Sequence, residues 1–283
     1  MEKIIAADNI VKSFGNKRVL DGLSFSVLKG QIFGLLGPSG AGKTTLIKIL
    51  TGQLTRDLGI AEINGLDSAK LTGEDNKKFG IMMDNFGVYE RLSCYENLKI
   101  FAKIYGVKND GILNALKKVG LEDAKKTSAA KLSKGMRSRL RLARVIMTDS
   151  DILFLDEPTS GLDPATADEI HKMMLAEKEK GKTIFLTTHT MSEAEKLCDD
   201  IVMINEGKIV EHGSPKEICR RYNHKRMLKI HLSDGSDIRL AHDESSAEEV
   251  AELIKNGCAE TIHTTEPNLE TVFMELTGKE LAI

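Results

Sequence analysis

The octapeptide Gly37-Pro38-Ser39-Gly40-Ala41-Gly42-Lys43-Thr44 restricts the possible folds of this 283-residue chain more than any other stretch. Its spacing, a glycine, four residues, Gly-Lys and a hydroxyl amino acid, is that of a loop that wraps phosphate. Glycines let the backbone curl until successive N–H groups face one anion. The start of a helix adds partial positive charge, and Lys43 adds a full one beside the terminal phosphates of a nucleotide. Thr44 offers a hydroxyl to magnesium, and Thr45 continues the same cradle. The geometry needs a strand before the loop and a helix after it. Gln31 to Leu36 is wholly apolar after its first residue, as in a strand buried on both faces, and a helical pattern follows.

The rest of the chain extends this strand, loop and helix into an α/β fold. The apolar runs Ile152 to Leu155 and Thr183 to Thr187 read as further buried strands separated by helices, hence a mainly parallel sheet with helices on its faces. Before the loop, Ile4 to Leu28 alternates apolar and polar residues around a Gly15-Asn16 turn, which predicts an antiparallel strand pair. Residues 86 to 148 read as a helical insert. Ser93 with Glu96 has capping-box spacing ahead of a helix to Tyr105; Ile112, Leu113, Leu116 and Val119 mark a second helix stopping at Gly120; a basic helix runs from about Ser133 to Met147. After Gly213-Ser214-Pro215 the pattern changes. Leu228, Ile230 and Leu232 alternate, Asp234-Gly235 turns the chain, and Ile238 and Leu240 alternate again; Ser246 with Glu249 caps a helix ending at Gly257, and Leu269, Val272, Phe273 and Leu276 stripe a last helix stopped by Gly278. We therefore expect a first domain over 1–222 and a small α+β domain over 224–283.

The second chemical signal is Asp156-Glu157, two carboxylates at the end of a buried strand, where open α/β sheets place their ligands. Asp156 is suited to hold magnesium through water. Glu157 leaves the strand in another direction and is suited to act as general base for an attacking water. The bulk numbers narrow the partners. With 40 basic and 42 acidic side chains the net charge is −2, which gives no electrostatic case for nucleic acid or an anionic membrane. The four cysteines are scattered without a Cys-x-x-Cys pair, so neither a zinc site nor a disulfide framework is expected. No run approaches the roughly 18 apolar residues of a membrane span, and the N-terminus lacks a signal-peptide core, so membrane work requires a partner.

With both motifs in place, residues 4 to about 222 resemble the ATP-binding-cassette ATPases, whose landmarks appear in family order. The family's Leu-Ser-Gly-Gly-Gln signature appears as Leu132-Ser133-Lys134-Gly135-Met136. The resemblance gives Ser133 and Gly135 contact with the γ-phosphate; as plain chemistry, Ser133 is a helix N-cap. Phe14 matches the aromatic that stacks on adenine, although a Phe beside a turn is as often core. Asp163, in Ser160-Gly161-Leu162-Asp163, matches the loop that crosses the dimer seam, and is otherwise a cap before Pro164. His189 matches the switch histidine near the γ-phosphate. Asp84 stands where the family usually has a glutamine touching magnesium and water, with Asn85 as the alternative one residue on. A carboxylate there either binds the cation more tightly or repels Glu157.

The resemblance implies a head-to-tail dimer, of two copies or with a similar subunit, closing on ATP and magnesium at the cytoplasmic face of a membrane and driving a separate permease. Phe86, Val88, Tyr89 and Leu92 form either a docking groove for that permease or buried packing. The tail, Glu266 to Phe273 with Leu276-Thr277-Gly278, resembles the C-terminal segment of bacterial drug and lantibiotic exporter ATPases. The competing classes fit less well. Cassette proteins acting on ribosomes or DNA carry a second cassette, coiled coils or zinc inserts, and a kinase lacks both the signature and the paired carboxylates.

Overall fold

A computed structural model describes residues 2–83, 88–223, 227–265 and 267–278. The chain divides into two compact units, one running to Gly213 and one from Ser214 onward. In the first, β1 (Lys3–Phe14) and β2 (Lys17–Leu28) form the expected antiparallel pair, turned at Gly15 with φ 57°. They join β4 (Leu58–Ile63) and β5 (Leu66–Asp67) in a sheet of order β2-β1-β4-β5. The central sheet is formed by β3 (Ile32–Leu36), β6 (Phe79–Met82), β7 (Ile152–Asp156), β8 (Thr183–Thr188), β9 (Asp200–Asn205) and β10 (Lys208–Gly213), in the order β10-β9-β3-β8-β7-β6. All its pairings are parallel except that of β10 with β9. The helices of this unit are α1 (Lys43–Leu50), the short α2 (Gly73–Asn76), α3 (Cys94–Tyr105), α4 (Asn109–Lys118), α5 (Lys134–Met147), α6 (Pro164–Glu179) and α7 (Met191–Leu197).

Phenylalanines set the register of the central sheet. Phe33, Phe185 and Phe154 are direct neighbours on β3, β8 and β7, with ring centroids 5.4 and 5.5 Å apart. Phe25 of β2 stacks on one end of the row at 5.3 Å, and Phe79 of β6 meets the other end edge-on at 6.2 Å. Each ring pair adds about 0.5–1.5 kcal/mol to the burial of its apolar area. A one-residue slip would turn every ring to the opposite face, so the row fixes the strand ends as well. Leu36 lies opposite Thr188, and Asp156 opposite Thr187. The segments leaving β3, β7 and β8 therefore emerge side by side.

The helical insert is α3, α4 and α5, which pack on one another. Ser93 and Glu96 form the predicted box ahead of α3: Ser93 Oγ accepts from the Glu96 N–H, and Glu96 Oε2 accepts from the Ser93 N–H. In α4, Ile112 and Leu116 are buried, but Leu113, expected on the same stripe, is 41% exposed. Among the described residues, no helix is long and apolar enough to cross a membrane.

The second unit holds α8 (Pro215–Arg221), β11 (Met227–Leu232), β12 (Asp237–Ala241), α9 (Ala247–Lys255), β13 (Ala259–Thr265) and α10 (Leu269–Thr277), with sheet order β12-β11-β13. It starts earlier in the chain than the change of pattern near 224 suggests, because α8 packs on α10. The predicted hairpin is β11 and β12. The third strand, β13, went unpredicted because Ala259 to Thr265 has almost no apolar alternation; Ile262 pairs with Ile230 across the sheet. The expected Ser246–Glu249 box is absent. Ser246 ends a 3₁₀ turn with helical backbone angles and cannot adopt the extended cap geometry, and Asp243 caps that turn instead.

Candidate active site

The phosphate loop connects β3 to α1 as its sequence requires. Gly40 and Gly42 have φ 80° and 108°, which L side chains rarely adopt, so the curl depends on glycine at both positions. Gly37 is required for closeness: a Cβ there would lie 2.4 Å from the Ile204 carbonyl oxygen of β9. Gly37→Ala should therefore lower unfolding free energy by about 1–3 kcal/mol, measured by denaturant titration. An unchanged midpoint would mean that the end of β9 yields freely.

Lys43, the first residue of α1, is 5% exposed and turns back into the loop, donating to the carbonyls of Gly37 at 2.7 Å and Pro38 at 3.1 Å. Its Nζ lies 3.1 Å from Glu157 Oε1. Thr44 donates its hydroxyl to Asp156 Oδ2 at 2.8 Å, and Thr187 donates to the other oxygen of that carboxylate. Thr45 follows in the first turn of α1. Glu157 continues the ladder past β7, its N–H donating to the Thr187 carbonyl at 3.1 Å, but its φ of 47° is left-handed. For a residue other than glycine this costs about 1–3 kcal/mol. The twist accompanies a change of direction between neighbours: Asp156 faces Thr44, while Glu157 reaches Lys43 and, through Oε2, His189 Nδ1 at 3.1 Å. Lys43, Thr44, Asp156, Glu157 and His189 thus share one crevice at the carboxyl ends of β3, β7 and β8.

Ser133, Gly135 and Asp163 form a second cluster, and no hydrogen bond among the described residues joins Ser133 or Asp163 to Lys43 or the carboxylates. Ser133 caps α5, its hydroxyl accepting from the Met136 N–H at 3.2 Å. Asp163 caps α6, accepting from the N–H of Thr166 at 3.0 Å and its hydroxyl at 2.7 Å, and these donors hold its carboxyl below the usual range. Gly135 packs on Thr166; a Cβ there would lie 2.6 Å from Thr166 Cγ2. Lys134, which replaces a glycine of the usual signature, lays its ammonium against Gly161. The signature turn and the loop after the carboxylates therefore form one surface.

Phe14 ends β1 and is 50% exposed, with Lys12 Nζ 5.5 Å from its ring centroid, so the alternative of a core phenylalanine falls away. Asp84, Asn85 and Phe86 lie outside the described residues. Tyr89 is largely exposed, whereas Val88 and Leu92 are half-buried. Thr187, which serves both carboxylate positions, was missed in the sequence; its only signal is a hydroxyl near the end of a buried strand.

A nucleotide cradle on an α/β core, with paired carboxylates at the adjacent strand end, defines a phosphate-loop nucleotide hydrolase. The family model described as "ABC transporter" matches residues 20–160. The chain is 39% identical over 264 residues to a fluoroquinolones export ATP-binding protein of Mycobacterium tuberculosis, covering 92% of this chain and 88% of the relative. It is 31% identical to the linearmycin resistance ATP-binding protein of Bacillus subtilis, covering 98% of this chain and 99% of that protein. Among solved structures, the ATP-binding subunit of an ABC transporter aligns with a TM-score of 0.70 at 27% identity, over 77% of this chain and 93% of that one. A bacterial Atm1-family ABC exporter with ATP bound gives the same TM-score and identity over 78% of this chain and 40% of that one. The chain belongs to the ABC transporter family as an ATP-binding subunit that hydrolyses ATP.

Proposed function

We propose that this chain powers an exporter of drugs, antimicrobial peptides or similar compounds, closing as a dimer on ATP at the cytoplasmic face of a membrane and driving a separate permease. The observation that carries the reading is the convergence of Lys43, Thr44, Asp156, Glu157 and His189 on one crevice. Its direction, export, is supported by the relatives named for fluoroquinolone export and linearmycin resistance, and by Nod factor export in a Burkholderia lata relative 35% identical over 295 residues.

In this reading Gly37 to Thr45 cradle the triphosphate, the glycine-shaped backbone offering N–H groups and Lys43 a cation. Phe14 offers a ring face to adenine. Glu157 takes the proton of the attacking water, and His189 holds the Glu157 carboxylate in orientation and faces the γ-phosphate. Thr44 Oγ1 and Asp156 Oδ2, 2.8 Å apart, are hard oxygen donors that suit magnesium completed by water and phosphate. Asp84 is a further proposed ligand. Held by these oxygens, magnesium would supply positive charge beside the phosphates.

Among the described residues Ser133 bonds within its own helix turn and Gly135 packs on Thr166, while Lys43 bonds to its own loop and Glu157. We assign Ser133 and Gly135 to the nucleotide of a facing subunit, identical or similar, with Asp163 at the seam. The accessory domain from 214 onward and the exposed Tyr89 are surfaces available to partners, and no nucleic acid is among them. The test is kinetic: ATPase activity per mole should rise with protein concentration and change on adding the permease. Activity strictly proportional to protein at all concentrations, together with indifference to permease, would reject the dimeric transporter reading.

A further inference from the structure

The loop that leaves Glu157 is fastened by two buried ionisable groups that have no part in the chemistry above. Thr159 donates its hydroxyl to Glu193 Oε1 at 2.6 Å, and His171 Nε2 meets the same oxygen at 2.9 Å. Glu193 is 3% exposed and His171 8%. They line a cleft of about 380 Å³ with Leu162, Asp168 and Thr190. Glu193 Oε2 and His171 Nδ1 are both buried without a hydrogen-bond partner. A buried polar pair left half-satisfied lowers stability relative to apolar side chains of similar volume. Stability therefore does not explain the pair.

The position of Glu193 gives a better explanation. It lies in α7, which begins just after His189, while Thr159 lies just after Glu157. The segments leaving β7 and β8 are consequently joined by two rungs: Glu157 to His189 at 3.1 Å, and Thr159 to Glu193 at 2.6 Å. His171, reaching in from α6, fixes the Glu193 carboxylate from a third side, and Ser138 of α5 donates to the Pro158 carbonyl at 2.7 Å, anchoring the loop opposite. One rung alone would leave a hinge; two at successive levels hold the two segments at a fixed angle.

We propose that Glu193 is a positioning residue for hydrolysis: through Thr159 it locks the loop carrying Glu157 to the helix that follows His189, with His171 holding its carboxylate in place. The inference rests on the roles proposed for Glu157 and His189. It requires the second rung to affect turnover and not nucleotide affinity, because neither Thr159 nor Glu193 belongs to the phosphate cradle.

The experiment uses the full chain with ATP and magnesium. Thr159→Val keeps the shape and removes the donor; kcat should fall about tenfold with KM for ATP within about twofold, and Thr159→Ser should restore turnover. Thr159→Val combined with Glu193→Leu should be no slower than the slower single variant, since each removes one partner of the same rung. His171→Leu with Glu193→Leu should melt no lower than the parent chain yet turn over more slowly, a combination that a purely structural pair does not produce. A wild-type kcat in Thr159→Val, or fully additive losses, would overturn the proposal. Glu157→Gln and His189→Ala run in the same assay separate the two levels. If both hydrolyse normally, the underlying reading fails. If both are inactive while Thr159→Val is normal, only the positioning role fails.

Discussion

Glu157→Gln should lower ATP turnover by roughly two to four orders of magnitude while the protein still binds nucleotide, and should make an ATP-bound dimer accumulate. The amide keeps the size of the side chain and its contacts with Lys43 and His189, at 3.1 Å each, but it no longer takes a proton from water. Removing the carboxylate also removes a negative charge from beside Lys43, and with it repulsion toward a triphosphate, so affinity should hold or improve. Size-exclusion chromatography at saturating ATP and magnesium checks the dimer, and single-turnover hydrolysis checks the rate. A purely monomeric variant under those conditions would remove the support for ATP acting as the adhesive between subunits.

Lys43→Ala should act at the preceding step. Its ammonium is buried, already desolvated by the loop, and bonded to two loop carbonyls, so it meets an anion without first shedding bulk water. A charge-assisted bond of this kind contributes about 1.5–3 kcal/mol, which corresponds to a loss of about ten- to a hundredfold in ATP affinity by calorimetry. The two variants separate binding from chemistry: Lys43→Ala binds weakly, and Glu157→Gln binds and stalls. An unchanged dissociation constant in Lys43→Ala would count against the loop as the triphosphate cradle.

The sequence was most informative where a local pattern carries a geometric demand. The phosphate loop, the apolar strands β3, β7 and β8, the Ser93–Glu96 cap and the β11–β12 hairpin all occur where predicted, because each is specified by residues a few positions apart. What escaped detection depends on distant pairing. β13 has only Ala259 and Ile262 as apolar residues, without alternation, and its place in the sheet comes from lying against β11. α8 falls in the second unit, where it packs on α10, far from it in sequence. In the site, Lys43, Asp156, Glu157 and His189 were legible as motif positions. Thr187 and Glu193 were not, since a threonine in a strand and a glutamate in a helix look ordinary until Asp156 and Thr159 are placed against them.

The left-handed backbone at Glu157 has a consequence for anyone altering this protein. Judged by conformation, the easiest replacements there are glycine and asparagine, which accept such torsions readily; judged by chemistry, the closest is glutamine, which inherits the same discomfort. The two measures of conservatism disagree at this residue. A screen rewarding heat resistance alone would therefore drift toward glycine here, and would select its most durable members from among those unable to spend their fuel.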